Sequence, residues 1–307
     1  MKKRMKVLVT GADGCVGGAI AEQLRDSGYE VHGLVYGREP MDANESRIDL
    51  RDPATLSTLE AGPFDVVFHA AANVDPSVPA KTMFDINLGG TINLLRWVKQ
   101  QGCSHFVQIS SVSVYGNKAS GRNRSEASTT RSRYLGLPYS RSKAAAEIEV
   151  ERSGVPYTIL RLPMVIGSRD GLASPTFINA IRDGSFFMPG SGKKVCSLMT
   201  VPNIGPFAEH VLRRGPSGCA LNCADHHIPW REVAQQYADE LGTKLPERRF
   251  SWPRGFLSGR ATHWLLLWTC GKAGGHFPTD ELEFHLGPMR KIRWQRAVAD
   301  AVSNYGA

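Results

Sequence analysis

Hydrophobic and polar positions in the first 165 residues alternate between two patterns. Short β-branched runs, typical of strands buried on both faces, are separated by longer stretches with apolar residues at helical spacing. The predicted strands are Lys6–Thr10, Glu30–Val35, Val66–Ala70, His105–Ile109 and Tyr157–Leu162. The predicted helices between them are Gly17–Ser27, Pro53–Leu59, Thr82–Gln101 and Tyr139–Arg152. This alternation predicts the α/β class with a doubly wound parallel sheet.

Glycines and a change of pattern divide the chain further. Three glycines stand where a left-handed residue is expected to end a helix: Gly28, Gly102 and Gly154. Beyond about Gly167 the alternation weakens, and two more helices are predicted, Thr176–Asp183 and Pro229–Leu241. We therefore predict a main domain over residues 1–166, with return segments near 194–228, and a smaller C-terminal lobe over 167–307.

A glycine-rich turn joins the first predicted strand to the first helix. In KVLVTGADGCVGG, Gly11, Gly14 and Gly17 serve a tight turn, close backbone approach to a pyrophosphate, and close packing of helix on strand. Phosphates there also meet the positive end of the helix dipole. Because a strand precedes the turn and a helix follows it, the sequence predicts a Rossmann domain that binds a dinucleotide.

The residues after the second strand bear on which dinucleotide is bound. NAD-binding versions place a carboxylate there for the ribose 2′-hydroxyl, whereas this chain has Tyr36, with Arg38 two residues on. Because a guanidinium can pair with a 2′-phosphate, the sequence favours NADP(H); NAD(H) is the alternative if Arg38 is a solvated loop residue. Asp49 and Leu50 are placed to meet the adenine edge, unless Asp49 caps the helix beginning near Pro53.

A second group of residues suits proton transfer. Tyr139 and Lys143 are four residues apart in a predicted helix, so both project from one face. Ser110, Ser111 and Ser113 end the preceding strand, at the edge where open α/β sheets bind ligands. An ammonium beside a phenol favours the phenolate, which suits tyrosine for acid–base work near neutral pH. A tyrosine–lysine pair alone is a common exposed helical pair, but after the glycine turn it predicts a catalytic site.

Six motifs follow one another in a fixed order along residues 5–240. They are TGxxGxxG at Thr10–Gly17, FHAAA at Phe68–Ala72, FDINLGGTINLL at Phe84–Leu95, the serine strand, YxxxK at Tyr139–Lys143, and LRLPMVIG at Leu160–Gly167. The set resembles the extended short-chain dehydrogenase/reductases, that is, the NAD-dependent epimerase/dehydratase superfamily. The later run, residues 218–253, is similar to the 3β-hydroxysteroid dehydrogenase-like branch.

The resemblance implies a role for each site residue. Ser111 is expected to hydrogen-bond the substrate oxygen, and Tyr139 to exchange a proton with it. Lys143 is expected to hold the nicotinamide ribose and tune Tyr139, Asn87 to shape the site, and the main chain near Pro163–Val165 to bind the carboxamide. A homodimer through the helices Thr82–Gln101 and Tyr139–Arg152 is also implied. The expected cofactor contacts are Gly11, Asp13, Gly14, Cys15, Val16, Gly17, Arg38, Asp49, Leu50, Ala70, Ala71, Ala72, Asn87, Tyr139, Lys143, Pro163 and Val165.

Two departures from the family pattern narrow the expected activity. Dehydratases of the family carry an acidic pair after the serine, whereas Ser111 is followed by Val-Ser-Val, so no carboxylate is placed for the elimination. Many epimerases have an asparagine where this chain has Met164. We therefore expect a biosynthetic ketoreductase that interconverts a ketone and a secondary alcohol, with Tyr139 as general acid/base. The alternatives are a nucleotide-sugar epimerase or reductase on the same scaffold, and a non-catalytic dinucleotide sensor.

Composition bears on compartment and partners. With 42% hydrophobic and 21% charged residues, whole-chain disorder is excluded. Six scattered cysteines and the adjacent His226 and His227 lack metal-ligand spacing, and the N-terminus lacks a signal-peptide core, so we expect a reduced cytoplasmic protein without structural metal. The apolar run WLLLW at Trp264–Trp268, too short to span a bilayer, is interpreted as core of the second lobe, a pocket wall or a membrane contact.

The net charge of +8 arises from 37 lysines and arginines against 29 acids. These basic residues are not interleaved with aromatic residues in a recognised nucleic-acid motif, so we expect no nucleic-acid partner. The loop Arg122–Arg133 precedes the predicted catalytic helix. An anionic small-molecule substrate is therefore a secondary hypothesis, and the remaining charge is expected to be solvated surface.

Overall fold

The structure is a computed structural model that describes residues 4–116, 124–128, 137–188, 191–246, 277–286 and 291–305. The strands are β1 Lys6–Thr10, β2 Glu30–Val35, β3 Glu45–Arg47, β4 Val66–His69, β5 His105–Ser111, β6 Tyr157–Leu162, β7 Met164–Ile166, β8 Val195–Thr200, β9 Ala220–Asn222 and β10 His226–Pro229. The α-helices are α1 Cys15–Asp26, α2 Pro53–Ser57, α3 Ala80–Phe84, α4 Gly90–Gln101, α5 Pro138–Arg152, α6 Ala173–Arg182, α7 Val201–Arg214, α8 Trp230–Glu240, α9 Asp280–Leu286 and α10 Trp294–Tyr305.

Seven strands form one parallel sheet in the order β3-β2-β1-β4-β5-β6-β9. Val7 of β1 pairs with Val31 on one side and with Val66 on the other. The strand order therefore reverses between β1 and β4, and such a switch point opens a ligand crevice at the carboxyl ends of the strands. The predicted doubly wound parallel sheet is confirmed.

Both faces of this sheet are buried. On β1, Val7 and Val9 pack into a cluster with residues of α1 and α7, whereas Leu8 packs into a second cluster with residues of α4. Alternate side chains of a strand point to opposite faces, so a strand buried on both faces is an apolar run without alternation. This pattern is why β1, β2 and β6 have the bounds predicted from the sequence.

The ends of the elements agree with the glycine signals, whereas short strands were missed. Gly28, Gly102 and Gly154 have φ of 85°, 71° and 75°, so the predicted left-handed conformations are confirmed. The strands β3 and β7–β10 were not predicted. β3, β7 and β9 have three residues each, which leaves too little repeat for a pattern to be read, and β8 and β10 lie beyond Gly167, where the alternation is weak.

The single helix predicted over Thr82–Gln101 is wrong. It consists of α3, a π-helical turn at Asp85–Gly89, and α4. Asn87 lies buried inside the π-turn, and Thr91 Oγ1 donates a hydrogen bond to the backbone oxygen of Asn87 at 2.7 Å. A π-turn accommodates one more residue than an α-helical turn and is often found at functional sites.

A second, three-stranded sheet has the order β10-β8-β7, with β10 antiparallel to β8. It shares a hydrophobic cluster with α6, α8 and α10. The aromatic ring of Phe177 stacks on Tyr237 at 4.8 Å and on Trp230 at 5.6 Å between ring centroids. The three helices lie in the predicted C-terminal lobe, whereas β7 precedes its boundary and β8 and β10 overlap the predicted return segments near 194–228. Within those segments, β9 joins the large sheet. The domain boundaries remain predictions.

Several predicted features lie outside the described residues. They are the WLLLW run with Trp252 and Phe256, Cys270, and the loop Arg122–Arg133 apart from residues 124–128. Within the described ranges, no helix combines the length and the apolar character needed to cross a bilayer. The same ranges contain no group of three or more potential metal-ligating side chains.

Candidate active site

The glycine turn brings β1 and α1 into close contact. Gly11 has φ of 67°, and a Cβ atom added to it would lie 2.9 Å from the backbone of Ala71. A Cβ atom added to Gly17 would lie 2.1 Å from the carbonyl oxygen of Gly11. Gly14 is the N-cap of α1, so the first-turn N–H groups of the helix are presented after it. These glycines form a cradle that fits a diphosphate.

A cavity of about 690 Å³ opens beside this turn, at the carboxyl ends of β1, β4, β5 and β6. It joins the glycine turn to the serine strand and to the start of α5. The predicted site residues in its lining are Gly11, Asp13, Gly14, Cys15, Val16, Gly17, Asp49, Leu50, Ala70, Ala71, Ala72, Ser111, Tyr139, Lys143, Pro163 and Val165. Two predicted residues, Arg38 and Asn87, are absent from this described lining.

Ser111, Tyr139 and Lys143 reach the cavity from two adjacent elements. Ser111 ends β5, and its Oγ accepts a hydrogen bond from the N–H of Ser113 at 3.2 Å. Tyr139 is half-buried in the first turn of α5, one turn before Lys143. Lys143 is buried, and its Nζ donates to the carbonyl oxygen of Ile109 at 2.6 Å. The ammonium is therefore fixed against β5, two residues before the serine.

Asn87 is connected to the cavity wall by hydrogen bonds to neighbouring residues. Its Oδ1 accepts from the N–H of Asn73 at 2.7 Å, and its Nδ2 donates to the Asn73 carbonyl oxygen at 2.9 Å. The same Nδ2 lies 3.0 Å from Ser142 Oγ on α5. Asn73 lines the cavity. Asn87 thus fixes the loop after β4 against the helix that carries Tyr139, whereas the predicted direct cofactor contact is not seen in the cavity lining.

Behind the glycine turn, a buried histidine connects β1 to the π-turn. His69 Nδ1 lies 2.8 Å from Thr10 Oγ1, and His69 Nε2 lies 2.9 Å from Thr91 Oγ1. Because Thr91 Oγ1 donates to Asn87, it accepts from the histidine, and His69 is the neutral tautomer protonated on Nε2. Burial, with a smaller effect from Lys143, lowers the pKa of His69 to about 3. The neutral imidazole of His69 and the two threonine hydroxyls therefore connect β1 to the π-turn without placing a charge in this buried region.

Buried neutral histidines make the fold sensitive to acid. Burial also lowers the pKa of His105 to about 4, so below the ordinary pKa of about 6.5 only the unfolded chain takes up these protons. Stability due to His69 and His105 is therefore complete above pH 6.5 and lost as the pH falls. We expect each histidine to reduce the free energy of unfolding by about 2 kcal/mol between pH 7 and pH 5.

Urea unfolding of the wild type and of His105→Gln at both pH values measures this loss. Between pH 7 and pH 5, the free energy of unfolding of the variant is expected to fall by about 2 kcal/mol less than that of the wild type. Equal losses in the two proteins would contradict the assignment of His105 as a neutral group in the fold.

Arg38 is held away from the cavity by an acid. Its Nη1 and Nη2 donate to the two carboxylate oxygens of Glu45, at 2.6 and 2.8 Å. The Glu45 side chain is 4% exposed. The hydrogen bonds from Arg38 hold the pKa of Glu45 below its ordinary value, against the opposing effect of burial. The guanidinium that the sequence assigned to a 2′-phosphate is thus already paired, because β3 brings Glu45 beside the end of β2.

The lining also contains residues that were not predicted as cofactor contacts, among them Tyr36, Arg51 and Arg169. Tyr36 and Arg51 lie together, with Arg51 Nη2 donating to Tyr36 Oη at 2.8 Å. Arg169 donates to both oxygens of Glu22 on α1, at 2.7 and 2.8 Å, from a left-handed residue with φ of 64°. Arg51 could have been predicted, because it directly follows the adenine-edge residues Asp49 and Leu50. No local sequence pattern indicates Arg169.

A buried polar network lies under the serine strand. Ser110 Oγ donates to Glu147 at 2.5 Å, and Arg161 pairs with both oxygens of the same carboxylate. Arg161 also donates to Tyr115 Oη at 2.9 Å, and Tyr115 donates to Asn222 at 2.8 Å. The network joins α5, β5, β6 and β9. It holds the strand and helix that carry Ser111 and Lys143 in one arrangement.

Fold and motifs together define an extended short-chain dehydrogenase/reductase. The chain matches the model of the NAD dependent epimerase/dehydratase family over residues 7–224, and it belongs to that family. The resemblance noted in the sequence is thereby confirmed. The parallel sheet, the glycine cradle and the cavity are those of a nicotinamide-dinucleotide enzyme.

Curated relatives with different activities match this chain. It is 26% identical to N-acetyl-alpha-D-glucosaminyl-diphospho-ditrans,octacis-undecaprenol 4-epimerase of Escherichia coli O157:H7, over 82% of this chain and 77% of that one. It is 24% identical to 2-alkyl-3-oxoalkanoate reductase of Stenotrophomonas maltophilia (strain K279a), over 83% and 81%. It is 30% identical to 3-beta-hydroxysteroid dehydrogenase of Mycolicibacterium neoaurum, over 46% and 41%.

Among solved structures, WbmH of Bordetella bronchiseptica in complex with NAD+ has the same fold. The TM-score is 0.80, with 21% identity, and the match covers 99% of each chain.

Proposed function

We propose that the protein transfers hydride between a nicotinamide dinucleotide and a carbon that alternates between ketone and secondary alcohol. The observation that carries this proposal is the cavity, in which the glycine cradle is continuous with Ser111, Tyr139 and Lys143. Side chains at Gly11 and Gly17 would collide with backbone atoms. Because glycine stands at both positions, the turn keeps the close backbone packing of a cradle that fits a diphosphate. The bound dinucleotide would supply or accept the hydride.

The three polar side chains divide the remaining work. Ser111 donates a hydrogen bond to the substrate oxygen and orients it. Tyr139 gives its hydroxyl proton to that oxygen when a ketone is reduced, and takes it back when an alcohol is oxidised. Lys143, fixed by Ile109, holds its ammonium at the cavity wall one helical turn after Tyr139. It also donates to the nicotinamide ribose.

The lining carboxylates support ketone reduction over elimination of water. In the described lining they are Asp13, Asp49 and Asp170. Asp49 belongs to the predicted adenine edge, and Asp13 lies beside Tyr36 and Gly37, after β2. Asp170 accepts backbone hydrogen bonds from Leu172, Ala173 and Ser174, which occupy both of its oxygens at the start of α6. Dehydration requires a carboxylate beside the reacting carbon, so we favour a reductase of a biosynthetic ketone.

The second candidate is a nucleotide-sugar epimerase. The observation in its favour is the 37% identity to UDP-glucose 4-epimerase of Streptomyces lividans over 36% of this chain. The Escherichia coli epimerase, 26% identical over 82% of this chain, is named for a sugar carried on diphospho-undecaprenol instead. An epimerase oxidises and re-reduces the same carbon, so it uses its dinucleotide without net consumption. The buried Met164 in the lining stands where many epimerases have an asparagine, and this supports the reductase.

The purified protein, incubated with NADH or NADPH and a panel of ketones, tests the proposal by absorbance at the reduced nicotinamide band. We expect stoichiometric oxidation of the reduced dinucleotide. Epimerised nucleotide sugar without net oxidation, together with dinucleotide retained through purification, would favour the epimerase. Tight dinucleotide binding without turnover in both panels would favour the non-catalytic sensor.

The assembly and location of the enzyme remain predictions. We propose a homodimer formed by α3, α4 and α5, the elements expected from the family to form the interface. Light scattering on the purified protein measures this state, and a monomeric mass would reject it. Cytoplasmic location, an anionic substrate and the absence of a nucleic-acid partner also stay predictions from the sequence.

A further inference from the structure

A carboxylate from the glycine turn lies at the end of β2. Asp13 Oδ2 accepts hydrogen bonds from the N–H of Tyr36 at 3.0 Å and from the N–H of Gly37 at 2.6 Å. Asp13, Tyr36 and Gly37 all line the cavity, and all three are exposed. The carboxylate is therefore beside the two residues that follow β2 (Glu30–Val35), even though it belongs to a turn 23 residues earlier.

In a Rossmann fold, the end of the second strand is part of the dinucleotide site. The adenosine ribose lies over the end of the second strand, where an acid normally accepts a hydrogen bond from the 2′-hydroxyl. That strand lacks such an acid here, which is why the sequence favoured NADP(H). Asp13 supplies a carboxylate to the same place from the other side of the crevice. Two backbone N–H groups orient one oxygen, and a carboxylate can accept more hydrogen bonds than these two.

The nearby arginines are each occupied by an acid. Arg38 pairs with Glu45, Arg47 with Glu39, and Arg51 with Asp49. Among the described residues, none of these three guanidinium groups forms an ion pair with Asp13. The charged groups in the described lining of this end are the carboxylates of Asp13 and Asp49 and the guanidinium group of Arg51.

These charges oppose a 2′-phosphate. The described lining there holds two carboxylates and one guanidinium group, and Asp13 forms no ion pair with Arg38, Arg47 or Arg51, although the Arg38 guanidinium is near enough to interact with it electrostatically. A phosphate near Arg38 or Arg51 would compete with the carboxylate that each guanidinium already pairs with, Glu45 or Asp49. A neutral 2′-hydroxyl, in contrast, donates to a carboxylate in a charge-assisted hydrogen bond.

We propose that Asp13 is the residue that selects the dinucleotide, by accepting a hydrogen bond from the adenosine 2′-hydroxyl and repelling a 2′-phosphate. The enzyme accordingly prefers NAD(H), which reverses the preference predicted from Arg38. This inference rests on the proposed function only in that a nicotinamide dinucleotide occupies the cavity. The substrate and the direction of reaction do not enter it.

Calorimetric titration with ADP-ribose and with 2′-phospho-ADP-ribose tests the proposal. Both ligands lack nicotinamide, so selection is measured even if hydride transfer fails. The wild type is expected to bind ADP-ribose at least tenfold more tightly than its 2′-phosphate. Asp13→Asn keeps an oxygen that can accept from Tyr36 and Gly37, but it removes the charge. We expect this variant to lower the affinity ratio by about tenfold.

Glu39→Gln is the matched control. Glu39 is an exposed acid of the same loop that pairs with Arg47 and is absent from the described cavity lining. Its replacement is expected to leave the ratio unchanged. Tighter binding of the 2′-phosphate by the wild type would overturn the proposal, and so would an equal change of ratio in both variants. The wild-type measurement decides even if the Asp13 variant does not fold, which a thermal melt would reveal.

Discussion

Replacement of Tyr139 by phenylalanine is expected to lower kcat by a factor of about 10²–10⁴, the contribution typical of a positioned general acid. The phenol is half-buried at the cavity wall, in the first turn of α5, and it is the proton donor in the proposed mechanism. Phenylalanine keeps the ring and its packing, so dinucleotide affinity and the melting temperature should change little. Loss of kcat with unchanged dinucleotide Kd is the expected signature.

Tyr157→Phe is the control for this measurement. Tyr157 begins β6, whereas the cavity lies at the carboxyl ends of the strands, so removal of its hydroxyl is expected to leave turnover intact. A Tyr139→Phe protein that reduced its ketone at the wild-type rate would remove the role given to the phenol. It would leave dinucleotide binding in the cradle unaffected.

Gly17→Val is expected to reduce dinucleotide affinity by at least about a hundredfold and to destabilise the fold. The added Cβ atom would lie 2.1 Å from the carbonyl oxygen of Gly11, 2.6 Å from its carbonyl carbon and 3.0 Å from the carbonyl oxygen of Thr10. All three are backbone atoms, so helix α1 must move away from β1. Overpacking of this kind costs about 1–3 kcal/mol, and the shift also withdraws the helix N–H groups from the diphosphate.

The neighbouring glycine of the same helix is the control. A Cβ atom at Gly18 would lie 3.2 Å from the carbonyl oxygen of Ala12 and 3.5 Å from the Arg169 side chain, so Gly18→Ala requires only a small adjustment. We expect it to retain dinucleotide binding within a few fold. Fluorescence titration with NADH and thermal unfolding of both variants measure the difference. Equal affinities for Gly17→Val and wild type would show that the turn is not the diphosphate cradle.

Strands and turns could be predicted from the sequence where their own residues determine the local structure. β1 and β6 are buried on both faces, so their apolar runs identified them. Gly11 and Gly17 have contacts that only glycine tolerates, so their spacing identified the turn. The π-turn was not predictable, because the apolar positions of α3 and α4 read as one continuous helix. Its cause is the partners of Asn87, which come from Asn73 and Ser142.

The polar and charged side chains of the site were likewise predicted where the cause is local and missed where it is not. Tyr139 and Lys143 lie on one helix face, so their common position followed from their spacing. The partner of Arg38 is Glu45 on another strand, and the amides that bind Asp13 follow β2. Both facts depend on strand order, which a local pattern does not contain. For this reason the spacing predicted the common position of Tyr139 and Lys143, but it did not predict the pairing of Arg38 with Glu45 or the hydrogen bonds that Asp13 accepts.

The π-turn at Asp85–Gly89 also takes up one residue without rotating the helices on either side of it. One residue turns an α-helix by about 100°, whereas the wider turn holds the surplus residue and leaves the faces of α3 and α4 in place. Before the turn Met83 contacts Asn87, and after it Leu94 and Val98 pack into the cluster that includes Leu8 of the sheet. Deletion of a single residue here is therefore expected to leave an ordinary α-helical turn, with the same faces packed but without the wider backbone turn that holds Asn87.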